Sequence, residues 1–145
     1  MLKLFATAAV LCCAMAAPAF ADACGDAPYP PAIDKPAKIT PMTIEAARAD
    51  VMDQYKEVKA YQGQLKDYRA CLDGQSRTDQ LAMRAAQQKK DGEADVARLK
   101  QQVEDRKKIY DATVDSETQV ATDFNTLHMA HCTRDTDPMI CPKKP

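Results

Sequence analysis

His128, Met129, His131, Cys132, Met139 and Cys141 lie within fourteen residues of one another near the C-terminal end of the chain. Imidazole and soft sulfur are the side chains that hold zinc or copper, so this is where metal chemistry would have to sit. On a helix His128 and His131 are one turn apart and can share a face. Two features argue the other way. The His-x-x-His-Cys run lacks a second ligand pair at the spacing of zinc sites, and cysteines of an exported chain are expected to be oxidised. Histidines in the last turn of a helix also interact favourably with its dipole and can bond its free carbonyls. The reading is therefore no cofactor and no metal, with the His128/His131 end kept as the alternative.

The remaining catalytic signatures are missing from the sequence. There is no G-x-S-x-G, no H-E-x-x-H, no phosphate-cradling glycine loop and no C-x-x-C-H haem site. The expectation is a non-enzyme. Charge runs such as Lys89-Lys90-Asp91 and Glu104-Asp105-Arg106-Lys107-Lys108 mix signs within one turn, which marks a solvated helix face. Nucleic acid is not an expected partner.

The cysteines must be read together with the leader. Lys3, the apolar run Leu4 to Met15 and the small residues of Ala19-Phe20-Ala21 form a secretory signal over 1–21, with Asp22 the first mature residue. The apolar run is too short to span a bilayer and is followed by Pro18, so no membrane insertion is expected after cleavage. The expected compartment is the periplasm of a Gram-negative bacterium. Removing the leader leaves 19 basic against 21 acidic residues and four cysteines, Cys24, Cys71, Cys132 and Cys141. An even number in an oxidising space reads as two disulfides.

Proline divides the mature chain into the elements that must position these cysteines. Pro28, Pro30, Pro31, Pro36 and Pro41 make 22–42 an extended or polyproline-like arm. Residues 42–137 contain no proline and are rich in Ala, Gln, Lys, Glu, Asp and Arg, the composition of long helices. Ile44, Val51, Val58, Leu65 and Leu72 recur every seventh residue, with Ala47, Gln54, Tyr61, Tyr68 and Gln75 as the companion row. A second seam runs through Val96, Val103, Tyr110, Glu117 and Phe124, beside Leu99, Arg106, Thr113, Val120 and Leu127. Arg106 and Glu117 interrupt this stripe and are expected to snorkel to its edge. Asp91-Gly92 is the better of two Asp-Gly turn signals because it leaves helices of comparable length, about 43–90 and 93–132. On this reading 73–82, with Gly74, Ser76 and Thr78, is a weakened or kinked stretch of the first helix; a break at both glycines, giving three helices, is the competing arrangement.

The fold class is thus all-α: a long antiparallel, coiled-coil-like hairpin over 43–132, with the arm before it and a tail, 133–145, after it. An arm of 19 residues from Cys24 to Thr43 spans about 59 Å as polyproline, and the helix from Thr43 to Cys71 advances about 42 Å, so the arm can lie back along the helix and reach Cys71. Cys71 and Cys132 would be on the order of 30 Å apart along the hairpin. Cys24 with Cys71 and Cys132 with Cys141 is the expected pairing, and Cys24 with Cys132 and Cys71 with Cys141 is the competing one. Tyr55, Val58, Tyr61, Leu65, Tyr68 and Leu72 form the candidate interaction seam, with the tyrosine rings suited to the arm's prolines or to a partner peptide.

Cys24, Pro28, Pro30, Pro31 and Ile33, then Met42, Val51, Tyr55, Val58, Tyr61 and the run Tyr68-Arg69-Ala70-Cys71-Leu72-Asp73, resemble a group of uncharacterised exported alphaproteobacterial proteins. These share a proline-rich arm with a cysteine and a long helix with a Tyr-x-Ala-Cys-Leu motif. The likeness covers about residues 22–73 and departs in the second half of the chain. It implies export and a hairpin, and no activity. The functional expectation is an exported structural or protein-interaction hairpin that engages a protein partner or itself. The alternatives are a periplasmic metal-binding protein or a chaperone-like protein with an apolar helical groove.

Overall fold

The computed structural model describes residues 23–141, so the leader expected over 1–21 and the last four residues of the tail lie outside the described residues. Three helices follow in order, α1 (Pro36–Ile39), α2 (Ile44–Gln87) and α3 (Glu93–Cys132), with no strand among the described residues. The expected antiparallel hairpin is formed by α2 and α3 packing along their lengths. Cross-hairpin ion pairs follow the same antiparallel register, from Asp79 with Arg106 on the turn side to Arg48 with Asp135, just beyond α3, at the far end.

The arm departs from the expectation at one place. Residues 36–39, read as extended, form the single turn α1. Proline is no obstacle there, because Pro36 stands at the start of the turn, where its fixed φ suits a helix and its missing N–H would have had no partner. Thr43 then caps α2, its side chain accepting the Ala46 N–H at 3.2 Å, with Glu45 in the first turn complementing the dipole.

Helix α2 continues without interruption through Gly74. The three-helix alternative, with its break at Gly74, is not what the chain adopts. A lone glycine disfavours a helix by only about 1 kcal/mol, and propagation along an already formed helix absorbs that. Tertiary contacts also hold this stretch, since Asp79 is ion-paired with Arg106 across the hairpin. The helix ends at Gln87, three residues earlier than expected. The Lys89 N–H bonds the Ala86 carbonyl at 3.0 Å, and the chain reverses over 88–92. Gly92 is required there by close approach rather than by its φ of −85°. A Cβ at this position would sit 1.9 Å from the Ala86 carbonyl oxygen.

The heptad rows do face one another. Val51, Val58, Leu65 and Leu72 from one row of α2, and Ala47, Gln54, Tyr61 and Tyr68 from the other, are buried, against Leu99, Thr113, Val120 and Leu127 of α3. Ile33 of the arm packs on both hydrophobic clusters, one around Ile39, Ala47, Val51 and Leu127, the other around Val58, Tyr61, Leu65 and Val120. The arm is therefore the third wall of a core that two helices alone would leave half open. Gln54 explains its place in an apolar row. Its carbonyl accepts the Asp34 N–H at 2.8 Å and its amide donates to the carboxylates of Asp34 and Asp50 at 2.9 and 2.7 Å, tying arm to helix. Arg106 and Glu117 do more than snorkel: Arg106 pairs with Asp79, and Glu117 accepts Arg69 at 2.6 Å.

Both expected disulfides are present, Cys24 with Cys71 and Cys132 with Cys141. After Cys24 the chain bends at Gly25, whose φ of +71° belongs to the left-handed region that glycine enters freely.

Candidate functional site

The end of the hairpin far from the turn holds the residues with metal-binding chemistry, and the structure separates the two histidines. His131 is 1% exposed and its Nε2 lies 2.9 Å from Asp135 Oδ2. Arg48 of α2 grips the same carboxylate with two bonds of 2.8 and 2.9 Å and reaches Asp137 at 3.1 Å. Arg134 donates to the carbonyls of Ile39 and Met42 at 2.8 and 2.7 Å. These contacts lock α3 onto the beginning of α2 and onto α1. His131 is thus a buried strut, and the pairing of His128 with His131 as metal ligands is not what the fold brings together. Three residues along a helix are rotated by about 60° short of a full turn, enough for one ring to point into the core and the other to its flank.

His128 keeps different company. Its Nε2 lies 3.5 Å from Cys132 Sγ and 2.9 Å from the Ile140 carbonyl oxygen, and its ring stacks on Phe124 with centroids 5.9 Å apart. His128, Cys132 and Cys141 bring their ligand atoms within 4.8 Å of one another. Met129 and Met139 are 57% and 90% exposed. Met139 and His128 border a cleft of about 320 Å³ with Tyr55 and Phe124.

The acid–base behaviour of this end follows from Asp135. The backbone N–H of Asp137 and then the Arg48 guanidinium hold its carboxyl below the ordinary carboxylate value, against the opposing effect of burial. A carboxylate depressed in the folded state contributes stability that is complete above its unfolded value, about pH 4, and is lost as pH falls through the lower folded value. Asp135→Asn is accordingly expected to flatten the acid limb of a stability-against-pH curve below about pH 4. Urea midpoints measured across that range check it, and an unchanged acid limb in the variant would refute the assignment.

The candidate interaction seam is spent inside the molecule. Val58, Tyr61, Leu65, Tyr68 and Leu72 are all buried between the helices, so they present no surface to a partner. The Tyr61 hydroxyl bonds Ser116 Oγ at 2.8 Å, and Pro28 of the arm borders the same small crevice as Tyr61. Tyr55 alone of the six stands at the edge, 42% exposed, its ring 5.8 Å from Phe124. The internal partnership follows from the arm, which closes the side of the seam that a bare hairpin would leave open.

Among the described residues, what stays open is the stretch beyond the arm. Between Cys71 and the turn, the two helices border a groove of about 780 Å³ lined by Gly74, Gln75, Thr78, Arg106 and Ile109, with Ala23 at its mouth. Among the described residues Gln75 Oε1 and one terminal nitrogen of Arg69 are buried with no hydrogen-bond partner. Neither this groove nor the Arg48–Asp135–His131 lock was expected from the sequence. The only hint was the four-residue spacing of His131 and Asp135; Arg48 lies 87 residues away in sequence from its partner.

The fold and these contacts define a class, a disulfide-stapled antiparallel helical hairpin whose seam is roofed by a proline-rich arm. No family model, curated protein or solved structure matches the chain.

Proposed function

We propose that this chain is an exported, periplasmic, non-enzymatic interaction protein that binds a protein partner along the open half of its hairpin. The observation that carries the reading is the groove beyond Cys71, where the described part of the arm ends while the two helices continue. The arm itself illustrates the kind of segment that such a groove takes, an extended proline-containing strand with an aliphatic anchor such as Ile33. Export is supported by the leader-like residues 1–21 and by the likeness to exported alphaproteobacterial proteins, and two disulfides suit an oxidising space. No helix among the described residues is long and apolar enough to cross a membrane.

The non-enzymatic part of the reading rests on the missing catalytic motifs. A chaperone acting through Tyr61 and Tyr68 is disfavoured because both rings are core. Photo-crosslinking side chains placed at Thr78 and Ile109 in the groove, and at Lys66 on the outside as control, test the reading in the expressing cell. Adducts of one defined mass from the two groove positions and none from Lys66 are expected. A doubled chain mass would identify the partner as a second copy. Equal labelling at all three positions, or none in the groove, would overturn the proposal.

A further inference from the structure

The Cys132–Cys141 disulfide and His128 together carry an inference independent of the groove. We propose that the tail disulfide masks a site for a soft divalent cation of the zinc class, formed by His128 Nε2 and the sulfurs of Cys132 and Cys141 when that disulfide is reduced. The histidine is already placed for this. A tetrahedral ion with a nitrogen ligand at about 2.0 Å and a sulfur at about 2.3 Å separates the two ligand atoms by about 3.5 Å. Cys132 Sγ and His128 Nε2 are 3.5 Å apart. Only Cys141 must move, since two zinc-bound thiolates sit about 3.8 Å apart. It belongs to the short tail turn beyond α3, whereas His128 and Cys132 lie one turn apart in the last turn of that helix.

The closed form also explains why the site is masked. With the disulfide intact, Nε2–H donates to the carbonyl of Ile140, the neighbour of Cys141. Movement of Cys141 carries Ile140 away, and the ring proton then resides on Nδ1, leaving the Nε2 lone pair free. The chemistry balances. An exported dithiol reductant gives two electrons and two protons to the Cys132–Cys141 bond and is itself oxidised to a disulfide. Binding then releases the two thiol protons to solvent, while the cation gains two thiolates and one imidazole. Water completes the fourth position, with the exposed thioether of Met139 two residues from Cys141 as a further donor. His131 takes no part, because Asp135 holds it in the core.

Cobalt(II) titration of the full mature chain under oxygen-free conditions tests this, since thiolate ligation gives an intense charge-transfer absorption. The reduced chain is expected to bind one equivalent, and the oxidised chain none. Reduced Cys132→Ser/Cys141→Ser should lose the absorption and reduced Cys24→Ser/Cys71→Ser should keep it. His128→Ala should weaken binding by at least about tenfold through loss of one of three protein ligands. Helix content is followed by circular dichroism in the same samples. If full reduction melts the helices, the titration is read on chains opened only at the tail by limiting reductant, with the Cys24–Cys71 bond verified by mass. Absence of a stoichiometric signal, a signal that follows Cys24 and Cys71, or unchanged affinity in His128→Ala would each overturn the proposal.

Discussion

Replacing Cys24 and Cys71 together by serine is expected to lower the unfolding free energy by about 4 kcal/mol, the larger of the two disulfide effects. In the chain-entropy view a cross-link stabilises by limiting the unfolded ensemble, and the effect grows with the logarithm of the loop it closes. The Cys24–Cys71 loop spans 47 residues and the Cys132–Cys141 loop only 9. The same relation gives the tail bond about 2.5 kcal/mol. The folded state sharpens the contrast. The arm is held near its C-terminal end by the Asp34–Gln54 bonds and by Arg134 on the Ile39 and Met42 carbonyls, and its N-terminal end is tied by Cys24. Losing that tie exposes the crevice beside Tyr61 and loosens the roof over the seam. Urea unfolding followed by circular dichroism measures both double variants. A loss from Cys24→Ser/Cys71→Ser no greater than that from Cys132→Ser/Cys141→Ser would refute this account.

Leu127→Ala is expected to cost about 3 kcal/mol, within the range of about 2–5 kcal/mol for fully buried leucines. Leu127 is 0% exposed and sits where α1, α2 and α3 meet, against Ile39, Ala47 and Val51. Three elements converge on it, each held independently by the Arg48–Asp135 and Arg134 contacts, so the space left by the removed methyls cannot easily collapse. Leu81, 65% exposed on α2, provides the comparison, and its alanine variant should change stability by no more than about 0.5 kcal/mol. Thermal and urea unfolding of the two variants separate these outcomes. Similar effects at both positions would mean that Leu127 is not the keystone of this junction.

Much of the fold was legible before the structure because its rules are local or nearly so. Seven-residue spacing named the buried rows of α2 from Val51 to Leu72, and proline placement divided arm from hairpin. The reach of the arm against the rise of the helix allowed Cys24 to meet Cys71, and the length of the hairpin kept Cys71 from Cys132; the structure then chose between the two remaining pairings. Gln54 stood in the companion row without a stated reason because its arm partner, Asp34, is met only when the arm folds back, while Asp50 lies one turn away on the same helix. Gly74 looked like a hinge because propensity judges a residue by itself, whereas the helix around it is held by contacts across the hairpin such as Asp79 with Arg106.

The candidate site shows the same division more sharply. Residue types alone placed the reactive side chains at the C-terminal end of α3, and helical spacing put His128 and His131 on neighbouring positions. Which ring entered the core was settled by Asp135 and by Arg48, reached only through the hairpin's return. The sequence by itself determined an all-helical hairpin and the buried rows of α2, and it favoured the pairing of the covalent staples, because periodicity, chain reach and backbone rigidity act along the chain. Only the tertiary structure decided that the tyrosine seam is interior, that the described residues leave the groove beyond Cys71 open, and that His128 rather than His131 faces the tail sulfurs. Those outcomes depend on which surfaces a third element covers and on pairings between residues distant in sequence, and no local spacing encodes either.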